Sequence, residues 1–398
     1  MARRSTRFCQ FGVLLFLCLR FGGSPAADLR VPSQDEALSL LFGNQFAELD
    51  SRYGAIQSAY KAGNISDEDL RAAFRVFYST DPKLHAHYAA WTKQSPKSYS
   101  AHLARGLYFK KLGQEALGGE LFEETSGEER AGIEEVFRLS QEELNASLSL
   151  DDKPTLSYLH LINISQFLRN HKEADILIRR AIASDPRSYI VRENYMIAIE
   201  TQNGGSHEKM KDFLTESRRA GLSTEHVNAL EALVLEDEAW IHRNVDGDTD
   251  AAILAYKKAA ELNPEASCRP CGPVMQSAEL LLENKNYAGA AEQYSKVIAF
   301  DPSYLAARNG RAFAQLQMQQ PTLAVDDFTY SASRGDAYAQ DMLGRMYLLG
   351  TSIPKDHDKA VEWLKKAAAQ GYEPAVRILP FALDKTATPL PFPGGPRL

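Results

Sequence analysis

The segment AAILAYKKAAELNP, residues Ala251–Pro264, decides the fold because similar segments lie on either side of it along the chain. One is ADILIRRAIASDP at 174–186, and the other is GAAEQYSKVIAFDP at 289–302. Each places a small residue, an aromatic or large apolar residue four positions later, and a proline eight positions after that. The three sets are Ala174/Ile178/Pro186, Ala252/Tyr256/Pro264 and Ala290/Tyr294/Pro302. Recurrence of one pattern predicts an internal repeat.

A fourth copy, Ala324 and Phe328, has Asp336 where the proline would fall. It follows the third copy after 34 residues, whereas 38 residues separate Pro264 from Pro302, which indicates an insertion of four. Pro186 to Pro264 spans 78 residues, or about two repeats, so a degenerate copy is predicted between them. Two helices around Gly204 and Gly205 would supply it.

The pattern fits a pair of close-packed helices. The small residue lets the first helix of a pair approach the second, the large one fills the gap a turn later, and proline ends the helix. A single hairpin cannot bury its apolar side, so hairpins stack into a solenoid. The recurring pattern resembles the tetratricopeptide repeat. No segment alternates with period two, so the predicted fold class is all-α, without strands.

A different helix pair is predicted near the C-terminus, in MLGRMYLLGTSIPKDHDKAVEWLKKAAAQG at 342–371. Gly350 would end the first helix in a left-handed conformation, and Asp356 or Asp358 would cap the second. The segment resembles a Sel-one-like repeat. The residues that carry the resemblance are Ala339, Leu343, Gly344, Tyr347, Gly350, Pro354, Asp356, Ala360, Trp363, Ala367, Ala368 and Gly371. A second glycine is usual in that family where Ser352 stands.

The region before the repeats is helical and irregular in pattern. Ser33 and Ser66 each precede an acidic first turn, as helix caps do. The segment around Trp91, Pro96 and Ala101, with the later Gly204-Gly205, resembles a helical domain of unknown function that precedes tetratricopeptide repeats in bacterial proteins. The predicted division is a signal peptide at 1–27, an N-terminal helical domain at 28–150, tetratricopeptide-like repeats at 151–335, a Sel-one-like repeat at 336–379 and a proline-rich tail at 380–398.

The N-terminus has the pattern of a secretory signal. Arg3, Arg4 and Arg7 precede an apolar run at 8–19, and Ser24 and Ala26 are small residues suited to cleavage near Ala26 or Ala27. The run is shorter than the ~20 residues that span a bilayer, so no stable membrane insertion is expected after cleavage. The predicted location is therefore the periplasm, with an uncleaved N-terminal anchor as the alternative.

Cleavage would leave Cys268 and Cys271 as the remaining cysteines. In an oxidising compartment this CxxC pair is expected to form a small structural disulfide that closes the inserted loop. The alternative is a thiol-disulfide enzyme or redox sensor, which needs one thiol of lowered pKa. Metal binding would need further ligands, so no metal or other cofactor is expected.

The chain has a formal net charge of −7 and no long basic tract, which argues against nucleic-acid binding. It also lacks the common catalytic motifs, including GxSxG, HExxH and GxGxxG. The predicted function is a non-enzymatic scaffold or adaptor that binds a peptide or partner helix on the concave solenoid face. First helices would line this face. The predicted contact residues are Met275, Glu279, Leu282, Asn309, Phe313 and Leu316.

Overall fold

The computed structural model describes residues 29–118, 125–268, 272–350 and 353–384, and these residues form helices and connections without a strand. The all-α prediction is confirmed. The predicted signal peptide at 1–27, Cys271, Ser352 and most of the predicted tail lie outside the described residues. The helices are α1 Gln34–Phe42, α2 Phe46–Lys61, α3 Asp67–Phe74, α4 Leu84–Gln94, α5 Tyr99–Leu117, α6 Gly127–Leu148, α7 Thr155–Phe167, α8 His171–Ser184, α9 Tyr189–Ala198, α10 His207–Arg219, α11 Thr224–Ile241, α12 Thr249–Leu262, α13 Pro264–Ser267, α14 Pro273–Glu283, α15 Tyr287–Phe300, α16 Leu305–Gln317, α17 Pro321–Ser333, α18 Ala337–Leu349, α19 His357–Ala369 and α20 Glu373–Leu383.

The chain divides into two compact units, one up to Leu230 and the other from Glu231 onward. The first, unit 1, holds α1–α10, and the second, unit 2, holds α12–α20, while the boundary falls within α11. Within unit 1, α7–α10 pack with the helices that precede them. The domain bounds drawn from the repeat pattern stay a prediction.

In unit 2 each helix packs against the next, from α14 through α20. The small and aromatic residues of the repeat pattern lie inside this packing, as in Ala290 and Tyr294, which are fully buried. Glycines allow equally close packing in the first helices of the hairpins. A Cβ at Gly344 would lie 2.8 Å from the Leu364 side chain, so glycine is required for α18 to approach α19.

Helix ends follow the predicted chemistry. The Ser33 hydroxyl accepts from the Glu36 N–H, and Ser66 and Asp69 form a capping box. Gly350 adopts the predicted left-handed conformation, with φ 69°, and the Asp356 carboxylate caps α19 through the Lys359 N–H. The helix pair of the Sel-one-like repeat is therefore confirmed.

Two prolines act differently from the prediction. Pro264 follows α12 and is also the first residue of the short helix α13. At this position the missing N–H of proline costs nothing. Pro380 lies inside α20, which extends to Leu383 and thus into the predicted tail. Ala375, Ile378 and Ala382 are buried on one side of α20, and their packing stabilises this last helix.

Candidate functional site

The six predicted contact residues lie on α14 and α16 of unit 2, but three are interior. Met275, Asn309 and Phe313 are only 2%, 3% and 8% exposed. Glu279, Leu282 and Leu316 are half-buried, so they keep part of their surface in contact with solvent. The accessible part of the predicted face is therefore narrower than the sequence pattern indicated. Whether these residues bind a partner stays a prediction.

The half-buried residues lie on two helices that contact each other directly. Glu279 and Leu282 are three residues apart on α14, so they share one side of that helix. Leu316 is on α16, seven residues after the buried Asn309 and on the same side of that helix. We call the surface formed by Glu279, Leu282 and Leu316 the α14–α16 face.

Glu279 is a carboxylate without a hydrogen-bond or ion-pair partner among the residues described. Burial raises its pKa to about 7, an effect that Arg243 opposes and Glu283 strengthens. The Arg243 guanidinium does not neutralise Glu279 directly. It donates to Gln276 Oε1 at 3.4 Å and to Glu283 Oε1 at 2.9 Å.

Asn309 is held in a fixed orientation by the start of α18. Its Nδ2 donates to Asp336 Oδ1 at 3.0 Å, and the same oxygen caps α18 by accepting from the Ala339 N–H at 2.7 Å. Since Nδ2 is committed to Asp336, Oδ1 is the remaining polar end of the amide. That oxygen is buried and has no hydrogen-bond partner in the described part of the chain. Buried acceptors without partners are uncommon and need an explanation.

Two tyrosines complete the surroundings of Glu279. Burial raises the pKa of both Tyr294 and Tyr304, and the Glu279 charge raises each further, which places both phenols within electrostatic reach of the carboxylate. Tyr294 is fully buried, and within the described ranges its hydroxyl lacks a hydrogen-bond partner. The repeat pattern marks Tyr294 only as a packing residue and does not include Tyr304, which lies just before α16.

Unit 1 contains a buried polar network that the sequence did not reveal. Lys110 is 6% exposed, and its Nζ donates to Asn163 Oδ1 at 2.7 Å and lies 3.0 Å from His160 Nδ1. The opposite ring nitrogen of His160 lies 2.8 Å from the Tyr78 hydroxyl. Burial lowers the pKa of Lys110 to about 7 and that of His160 well below its usual value. These residues come from three distant segments, so no local motif could have identified them.

Helix α3 packs against α9 within unit 1. The Asp67 carboxylate accepts from the Ser188 hydroxyl at 2.7 Å and from the Tyr189 and Ile190 N–H groups at 2.7 and 3.1 Å, which caps α9 from outside its own segment. One turn later, Arg71 pairs with Glu193 at 3.2 Å. The N-terminal helices therefore cover a side of α9 that a partner could otherwise contact.

The cysteine prediction is only partly within the described residues. Cys268 follows α13 and is half-buried, whereas Cys271 lies outside the described ranges. Burial raises the pKa of the Cys268 thiol, although Lys296 opposes the shift. A redox-active thiol needs a lowered pKa, so this environment does not favour the redox alternative. The disulfide stays a prediction.

Two open clefts lie in unit 1. One, of about 680 Å³, lies between α6 and the α7–α8 connection, and the other, of about 600 Å³, lies between α2 and the α4–α5 connection.

The described residues include no helix with the length and apolar character needed to cross a membrane.

Comparison with known proteins identifies the last hairpin. Residues 337–372 match the Sel1 repeat family, in agreement with the predicted Sel-one-like repeat and with helices α18 and α19. The described chain is thus an α-helical repeat protein that carries a Sel1 repeat near its C-terminus. Repeats of this kind generally serve as scaffolds for protein interactions. No curated protein matches the sequence.

Three solved structures illustrate the fold similarity. The protective antigen c5321 of uropathogenic Escherichia coli, with an SLR fold, is 14% identical over 89% of this chain and 84% of its own, with a TM-score of 0.41. Yeast Tom70 is 15% identical over 92% of this chain and 70% of its own, with a TM-score of 0.39. A Sel1 repeat protein from Oxalobacter formigenes is 17% identical over 90% of this chain and 97% of its own, with a TM-score of 0.37.

Proposed function

We propose that this protein is a non-enzymatic scaffold that binds a peptide or a helix of another protein on the α14–α16 face. The observation that carries the proposal is the state of this face. It combines two half-buried leucines, Leu282 and Leu316, with the half-buried Glu279 carboxylate, which has no hydrogen-bond or ion-pair partner in the described chain. Apolar surface beside an unpaired polar group suits recognition of an amphipathic segment.

The proposal is tested by removing the apolar contacts while keeping the fold. The double variant Leu282→Gln/Leu316→Gln weakens the face, and Leu254→Gln/Leu323→Gln is a matched control at two exposed leucines of α12 and α17. Each purified protein is used to capture interacting proteins from an envelope extract of the native host, and its thermal unfolding is recorded. We expect the control to retain the proteins that the wild type captures and the face variant to lose them. Equal capture by both variants contradicts the proposal.

We further propose that the protein is exported to the periplasm of a bacterium. The support is the N-terminal sequence, which combines Arg3, Arg4 and Arg7 with a short apolar run and a small-residue cleavage site. N-terminal sequencing of the protein from the native host provides the test. A mature N-terminus just after Ala26 or Ala27 is expected. A full-length protein in the membrane fraction would instead support the anchored alternative.

A further inference from the structure

The α14–α16 face carries one ionisable side chain that no described residue pairs with. Glu279 is half-buried, and its carboxylate, when ionised, can only accept hydrogen bonds. Neither a hydrogen bond nor an ion pair joins it to another side chain in the described ranges. Glu279 therefore lacks a partner that is a cation or a hydrogen-bond donor.

Arg243, the cation whose charge acts on Glu279, already has other partners. Arg243 pairs with Glu283 and contacts Gln276, and its remaining effect on Glu279 is weaker than the cost of burial. A half-buried carboxylate that is neither hydrogen-bonded nor ion-paired is unfavourable in an isolated protein. Such a carboxylate is stabilised most when a partner molecule supplies a cation that pairs with it.

We propose that the α14–α16 face recognises a lysine or arginine side chain of the partner segment, with Glu279 as its counter-ion. This inference rests on the proposed function and specifies the chemistry of the ligand. The ammonium or guanidinium group would donate to the Glu279 carboxylate. Its methylene groups would pack on Leu282 and Leu316, since long basic side chains bury their stems on apolar surface.

The chemistry distinguishes this ligand from an acidic one. A peptide carboxylate on the face would meet the Glu279 charge without a free basic group to offset it. Glu283 lies one turn further along α14 and adds negative charge on the same side. The negative charges of Glu279 and Glu283 therefore favour a basic residue within an otherwise apolar segment.

The test uses a library of immobilised peptides of about 12 residues, each with one central lysine among Ala, Leu, Phe, Ser and Gln. Every peptide has a twin in which N-acetyl-lysine, which is uncharged, replaces the lysine. The full-length wild type, Glu279→Gln, Glu279→Ala and the control Glu362→Gln are compared, and thermal unfolding establishes that each is folded. Glu362 is a suitable control because it is an exposed glutamate of α19 that pairs with Lys366 and does not act on Glu279.

We expect the wild type and Glu362→Gln to bind preferred lysine peptides at least about tenfold more tightly than the acetylated twins. Both Glu279 variants should bind the two members of each pair equally. If the wild type binds both members equally, the counter-ion role of Glu279 is wrong while peptide binding stands. The role is also wrong if Glu279→Gln and Glu279→Ala keep the discrimination. If the wild type binds neither member, this inference and the proposed binding face both fail.

Discussion

Gly310 of α16 faces the ring of Tyr294 of α15 so closely that a Cβ at position 310 would lie 2.3 Å from Cζ of that ring. Real Cβ atoms do not approach a ring so closely, and the ring is fully buried, so it cannot move aside without displacing neighbours. This contact fixes how near the first helix of one hairpin lies to the second helix of the preceding hairpin.

Gly310→Ala should therefore destabilise the protein by about 1–3 kcal/mol, the usual cost of overpacking a core. Gly132→Ala is the matched control, since a Cβ there contacts nothing and alanine favours a helix by about 0.5–1 kcal/mol. Denaturant unfolding followed by circular dichroism compares the two. An unchanged midpoint for Gly310→Ala would mean that the Tyr294 ring has room to shift.

Removal of the unpaired carboxylate should stabilise the protein at alkaline pH. The pKa of Glu279 is raised to about 7, so the native state keeps this proton at a pH where the unfolded chain has lost it. Stability therefore falls as pH rises from about 4.5 to about 7, and the full cost is present above that. We expect Glu279→Gln to be about 1–2 kcal/mol more stable than the wild type at about pH 8, and nearly equal to it at about pH 4.5.

The surroundings of Glu279 define the control for that measurement. Arg243, Glu283, Tyr294 and Tyr304 are the charged or titratable groups that act on it or respond to it. The phenols stay neutral throughout this pH range. The control therefore lies outside this group: Glu362→Gln removes only an exposed ion pair with Lys366 on α19 and should change stability by less than about 1 kcal/mol at either pH, because exposed ion pairs contribute little. A Glu279→Gln effect that does not depend on pH would contradict the assigned titration.

Lys110 should make stability rise with pH in the alkaline range. Burial lowers its pKa to about 7, so between that pH and about 10.5 the unfolded chain holds a proton that the native state does not. The difference in unfolding free energy between the wild type and Lys110→Met should then increase by up to about 1 kcal/mol per pH unit from about pH 7.5 to 9.5. His160 and Tyr78 contact Lys110, and neither titrates within that window, because burial lowers the pKa of His160 and raises that of Tyr78 to about 12. The charges of Lys111 and Arg71 also act on Lys110 and lower its pKa further. Urea unfolding at several pH values tests this, and parallel pH profiles would contradict it.

Asp67 should contribute to stability through α9. Burial alone raises the pKa of Asp67, but hydrogen bonds from Glu68, Ser188 and two N–H groups outweigh it and lower the pKa overall. Asp67→Ala should cost about 1–3 kcal/mol at neutral pH, since it leaves buried donors without an acceptor. Because the native pKa is lowered, this difference should shrink as pH falls below about 4. The exposed Asp35→Ala serves as a control in the same unfolding assay, and an equal loss in both variants would exclude a special role for Asp67.

Much of the fold could be predicted from the sequence because the repeats are local. The small and aromatic residues recur at fixed spacing, and in the structure Ala252, Tyr256, Ala324 and Phe328 are buried as that spacing requires. The end of α18 at Gly350 was predictable for the same reason, since glycine is the residue that best tolerates a left-handed cap.

The candidate site was harder to predict because helix spacing alone does not show how deeply each side chain is buried. Asn309 and Phe313 share a side with Leu316, yet they lie under neighbouring helices, whereas Leu316 keeps partial exposure. The unpaired state of Glu279 depends on Arg243 having another partner, Glu283, which lies 40 positions away in the sequence. The docking of Asp67 on α9 likewise joins segments more than 100 positions apart, and no sequence motif marks it.

The docking of α3 on α9 also determines where the chain can be cut for expression. A fragment that starts at residue 151, where the repeats were predicted to begin, would lose Asp67 and leave the Ser188 hydroxyl and two amide groups without their acceptor. Fragments that contain α9 therefore need to begin upstream of α3, and the earliest clean breakpoint between the hairpins has to be sought after Leu230.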